Sequence, residues 1–164
     1  MRSLTLFSAT LATFALALGY GGQSLWVGVG IVLVNGLLWL AGAWRGWDWV
    51  AEPCLVGWVV LAAFGVWLGV SAGWMLLGVV AALAAWDLSH FAARLRRAGA
   101  ITPPSELTRD HLRRLALVAA AGLLLGGIAL KIRVELTFGW ALLAAALAVV
   151  AVSSLLRAGG KEAA

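Results

Sequence analysis

Apolar residues run in long blocks along this chain instead of alternating or recurring on one helical face. Six blocks stand out: Leu4–Tyr20, Leu25–Ala43, Cys54–Val70, Trp74–Phe91, Leu115–Leu130 and Phe138–Leu156. A helix rises about 1.5 Å per residue and the hydrocarbon layer of a bilayer is about 30 Å thick. Each block is therefore close to one crossing, and the shorter ones need their flanks. The solvent imposes helix, because in hydrocarbon every backbone N–H and C=O must be paired inside its own segment. The alternating pattern of a membrane barrel strand is absent. The expected fold is all-α, a polytopic integral membrane helical bundle. Six transmembrane helices in three hairpins make a single transmembrane domain, at about 4–20, 25–43, 54–70, 74–93, 112–130 and 136–156.

The breaks between blocks are marked. Gly21-Gly22-Gln23-Ser24 makes a tight turn, Arg45 to Pro53 a short polar link, Ser71-Ala72-Gly73 a second turn and Lys131 to Glu135 a third. The longest link, 94–114, is basic and contains the breaker Pro103-Pro104. After it, Ser105 can cap a short amphipathic helix that runs on into the fifth span. Arg2 and Ala15-Leu16-Ala17 give the first block some likeness to a cleaved signal peptide. Against that, its apolar run continues past Ala17 to the glycine turn, which favours a retained first span.

Composition agrees with the blocks. Of 164 residues, 63% are apolar and 12% charged, against about 45–50% and 25% in soluble domains, and the mean hydropathy is +1.00. A soluble domain of this size has too little interior to hide so much apolar surface, and no length is left for a soluble catalytic domain. The single cysteine, Cys54, excludes an intrachain disulfide framework and reads as a small buried hydrophobe.

The net charge of +5 changes the picture through its placement. With the N-terminus inside, ten basic residues fall on the cytoplasmic side and only Lys131 and Arg133 outside. This positive-inside asymmetry gives an N-in/C-in orientation. Arginine-rich, Ala/Gly/Leu-rich usage is that of a GC-rich bacterial genome, so the membrane expected is the bacterial cytoplasmic membrane. Tryptophan placement tests the same topology. Trp26, Trp74 and Trp140 fall at outer edges and Trp44, Trp47, Trp49 and Trp86 near inner ones, the interfacial belt. Trp39, Trp58 and Trp67 are expected to lie deeper and pack between helices.

Candidate chemistry is sparse. Asp87, His90, Arg94 and Arg97 share one helical face by their spacing, and Asp87 lies roughly 10 Å inside the edge marked by Arg94. Intramembrane ionisable groups are candidates for proton or ion handling, although a structural role at the helix end is the stronger reading. His111 can join Asp87 and His90 only if the link folds back. Asn35, mid-span, wants an interhelical partner or lines a polar path. Gly65 with Gly69, and Gly122 with Gly126, fit the small-xxx-small packing pattern. Arg94, Arg96, Arg97, Arg109, Arg113 and Arg114 form a basic cap suited to anionic lipid headgroups or a cytoplasmic or membrane protein partner. Nucleic acid is not expected, since aromatic interleaving and a folded module are missing. No motif for a cofactor, a metal site or a catalytic nucleophile occurs.

The functional expectation is a non-catalytic structural or partner-binding component of a membrane complex. The alternative is a small transporter or channel handling protons or cations at Asp87 and His90, with Asn35. A lipid-modifying enzyme would need Asp87 and His90 within hydrogen-bond reach of each other.

Overall fold

The computed structural model describes residues 2–97 and 105–131. Their regular structure is helical throughout: α1 Arg2–Gly22, α2 Trp26–Arg45, a single 3₁₀ turn Asp48–Val50, α3 Ala51–Trp67, α4 Ala72–Arg97 and α5 Ser105–Lys131. The four long helices carry windows apolar enough to cross a membrane, Ser3–Gly22, Trp26–Arg45, Ala72–Arg96 and Thr108–Leu130. With 17 residues, α3 spans about 25 Å, a little short of the hydrocarbon layer. The sixth expected span, 136–156, lies outside the described residues.

Each of α1 and α3 packs on both α2 and α4, so these four helices close into a bundle, while among the described helices α5 packs on α4 alone. The bundle is inside-out relative to a soluble one. On α1, Leu4, Phe7, Leu11, Phe14 and Leu18 are exposed, whereas Thr5, Ser8, Ala9, Ala12, Ala15 and Leu16 are buried. Apart from Leu16 and Tyr20, the large apolar side chains of α1 thus face the surroundings, and its buried positions are mostly small or hydroxylated. That partition suits lipid, where burying leucine against a helix gains nothing over burying it against acyl chains.

What lipid does reward is close approach and interhelical hydrogen bonding. Glycines supply the first. A Cβ on Gly36 would collide with Thr13 across the α1–α2 seam, and one on Gly28 with the Tyr20 ring. A Cβ on Gly57 would lie 2.8 Å from Asn35 Oδ1 across α2–α3, and one on Gly78 2.6 Å from Leu16 Cγ across α1–α4. Three side chains supply the second. Ser8 Oγ donates to the Ala81 carbonyl at 3.0 Å, Tyr20 Oη to Leu61 at 2.6 Å and Asn35 Nδ2 to Cys54 at 3.0 Å. Trp39 and Trp58, both buried, pack with ring centroids 4.9 Å apart between α2 and α3.

The turns are built from the chain's own backbone. Leu25 N–H bonds to Tyr20 O, Trp47 to Gly42 O and Val70 to Gly65 O, at 2.9–3.1 Å. Each is the six-to-one bond of a Schellman ending, with Ser24 (φ 58°), Gly46 (φ 74°) and Gly69 (φ 82°) in the left-handed position such an ending requires.

The described residues correct two details. Gly69 is not on a packing face of the third span: α3 stops at Trp67, and Gly69 sits in the turn beyond it with nothing near its would-be Cβ. Trp67 does not pack between helices but is 77% exposed. Within the link 94–114, α4 continues to Arg97, and α5 begins at Ser105 and runs on into the fifth block. Only 98–104 of that link lies outside the described residues.

Candidate functional site

The ionisable residues gather where α3 begins, α4 ends and α5 begins. Because α4 and α5 run antiparallel, Leu76 lies against Gly126, and Val80 comes within 3.9 Å of a Cβ built on Gly122. The same register brings Phe91 onto His111, ring planes 6° apart and centroids 4.0 Å apart. One turn before Phe91 on the same α4 face, Asp87 places Oδ2 2.8 Å from His111 Nε2. The approach is that of an ion pair, and Nε2 lacks an aligned hydrogen bond. Both side chains keep a minor exposed fraction, 30% for Asp87 and 23% for His111.

The adjoining face of α4 turns to α3. His90 Nδ1 lies 3.1 Å from its own Trp86 carbonyl, and its ring packs on Trp86 at 4.3 Å between centroids. The other ring nitrogen, Nε2, lies 3.7 Å from Oε1 of Glu52, an exposed residue in the first turn of α3. Asp87 and His90 are therefore divided between two neighbours, Asp87 to α5 and His90 to α3. Two more buried polar atoms near this end, Trp86 Nε1 and Thr108 Oγ1, lack a hydrogen-bond partner among the described residues.

Asn35 belongs elsewhere: its amide is spent on the Cys54 carbonyl at the α2–α3 seam. Gly122 and Gly126 lie where α5 meets α4, whereas Gly65, buried on α3, abuts Met75 Sδ and the Tyr20 hydroxyl. Around the ionisable cluster, Arg94, Arg96, Arg109, Arg113 and Arg114 are exposed, as is Asp110. Arg97 closes α4, and its side chain lies outside the described set. Arg45 adds a guanidinium 5.2 Å from the Trp47 ring, which stacks on Trp49.

Among the described residues no group of three or more His, Cys, Asp or Glu is placed to hold a metal ion. A groove of about 390 Å³ lies at the opposite end, lined by Tyr20, Trp26, Ile31, Leu61, Phe64 and Leu68 among others. It is apolar and contains none of the ionisable residues.

Sequence reasoning passed over Glu52 and gave His111 only a conditional place. The signal for His111 was its position on an apolar face after the Pro103-Pro104 break, where a returning helix meets α4. Neither known protein families, nor curated proteins, nor solved structures give a significant match to this chain.

Proposed function

We propose that the chain is a non-catalytic component of a bacterial cytoplasmic membrane complex. In this reading it has six spans in three hairpins, with both termini inside. Its exposed arginine end docks an acidic partner or anionic lipid headgroups. The observation that carries this reading is where the polar side chains go. Ser8, Tyr20 and Asn35 are each spent on a carbonyl of a neighbouring helix, as expected of groups that hold a bundle together. Asn35 and Asp87, which a polar path would have to share, serve different seams. Arg94, Arg109, Arg113 and Arg114 at the basic end are all exposed. The test is purification from the native membrane in mild detergent, with identification of what accompanies the protein. Replacing Arg109, Arg113 and Arg114 by Gln should release a specific companion, and Asp87→Asn should retain it. A protein that purifies alone from its own membrane contradicts the docking role.

One observation favours a second reading, proton or cation handling. Asp87, His111, His90 and Glu52 form two adjoining ionisable pairs at one end of the bundle. Proton flux in reconstituted vesicles that disappears with Asp87→Asn would establish that reading over the first.

A further inference from the structure

We propose that Asp87 and His111 form a proton-operated clasp between α4 and α5, closed while the imidazole is protonated and loosened when it is neutral. Among the described helices α5 touches α4 alone, and no described residue of α5 is fully buried. Over most of its length this seam is apolar, with Leu76 against Gly126 and Val80 near Gly122. At the basic end it changes character. Phe91 stacks on His111, and Asp87 sets a carboxylate oxygen 2.8 Å from the imidazole. Thr108 Oγ1, one turn before His111 on α5, is buried without a hydrogen bond, and His111 Nε2 meets Asp87 as an ion pair without an aligned one. A contact with such atoms is poised between closed and open, because water satisfies them when the seam parts.

The sign follows from the charges facing the pair. His111 is faced from α4 by Asp87. On its own helix it is flanked by Arg109, Asp110, Arg113 and Arg114, all exposed. Asp87 is faced by His111 from α5. Its neighbours along α4 are His90, which Glu52 of α3 approaches at 3.7 Å, and the exposed Arg94. Of the other elements packed on α4, α1 begins at Arg2 and has no charged residue from Ser3 to Gly22, and the 3₁₀ turn begins at Asp48. Arginines on both α4 and α5 repel across the seam, but they are exposed and screened over about 8 Å at physiological salt. The imidazolium–carboxylate attraction acts at contact distance and dominates. Losing the imidazole proton reduces it to a charge–dipole contact and leaves the repulsion in place. The clasp thus opens as pH rises. It stands independently of the docking role, since no partner enters the measurement.

The experiment is an EPR distance measurement in phospholipid nanodiscs. Nitroxides are attached at Leu83→Cys on α4 and Val118→Cys on α5, both exposed sites, in a Cys54→Ala background. Imidazoles titrate between about pH 5 and about pH 8. Across that interval a single short distance should give way in part to a longer component, their ratio shifting on the order of threefold, as for a partly exposed ion pair. His111→Gln and Asp87→Asn should abolish the response, and His90→Gln should keep it. The titration of the labelled parent alone needs no change in the pair, so a folding defect in a variant does not decide the outcome. A parent distribution independent of pH overturns the clasp. So does a response that survives His111→Gln or is lost with His90→Gln.

Discussion

Asn35 shows how one amide settles its account with hydrocarbon. Its Nδ2 donates to the Cys54 carbonyl at 3.0 Å, and its Oδ1 rests where Gly57 has no side chain. Asn35→Leu keeps the count and branching of side-chain heavy atoms while removing the bond, and should lower stability by about 0.6–2 kcal/mol. Unfolding by detergent titration in bicelles, followed by tryptophan fluorescence, reads that loss. That Asn35 would need a partner was legible from its type and depth. Which partner was not, because that depends on how α2 and α3 are rotated about their axes. The same rotational blindness misplaced Trp67. Trp58 and Trp67 occupy the same apolar block, yet Trp58 is wholly buried against Trp39 and Trp67 is 77% exposed. Hydropathy measures how apolar a block is, not which way each residue in it points. Asp87 stands out in the sequence as an ionisable residue to explain, but its partner lies beyond the Pro103-Pro104 break, a contact that local spacing does not encode.

At the scale of the element, glycine decides the spacing between helices, and the same substitution should have opposite signs at two sites on α2. Gly36→Ala puts a Cβ into Thr13, a stiff β-branched side chain held close to its own backbone. The α1–α2 seam must then part, at a cost of about 1–3 kcal/mol. Gly30→Ala meets nothing within 4 Å and should gain up to about 1 kcal/mol from helix propensity. The detergent titration that reports on Asn35 distinguishes the two, and equal effects at both positions would refute the close-contact account. Helix centres were legible in the apolar blocks because the solvent leaves the backbone no alternative. Ends were less so. The Gly65-to-Gly69 spacing looks like a packing stripe until the six-to-one bond from Val70 to Gly65 reveals a helix terminus instead. Likewise α3 starts at Ala51, before the apolar block, because Pro53 is tolerated in a first helical turn whose N–H groups have no intrahelical acceptor.

For the whole molecule, the prediction concerns sidedness. Gln23 and Ser71 lie in turns at one end of the bundle, and Glu52 and Arg109 at the other, all four exposed. In the proposed orientation, Gln23→Cys and Ser71→Cys react with an impermeant maleimide added to intact cells. Glu52→Cys and Arg109→Cys react only after the membrane is opened, and the reverse pattern would invert the topology. The outward leucines and phenylalanines of α1 carry one more consequence. Repainting Leu4, Phe7, Leu11, Phe14 and Leu18 with lysine and glutamate would make the exterior wettable, yet the result should fall apart in buffer. The inner face of α1 is largely alanine with Thr5 and Ser8, so Leu16 and Tyr20 are left to hide most of its oily area from water, and hiding such area is what keeps an ordinary globule shut. This architecture borrows its cohesion from the lipid around it and could not take that cohesion along into solution.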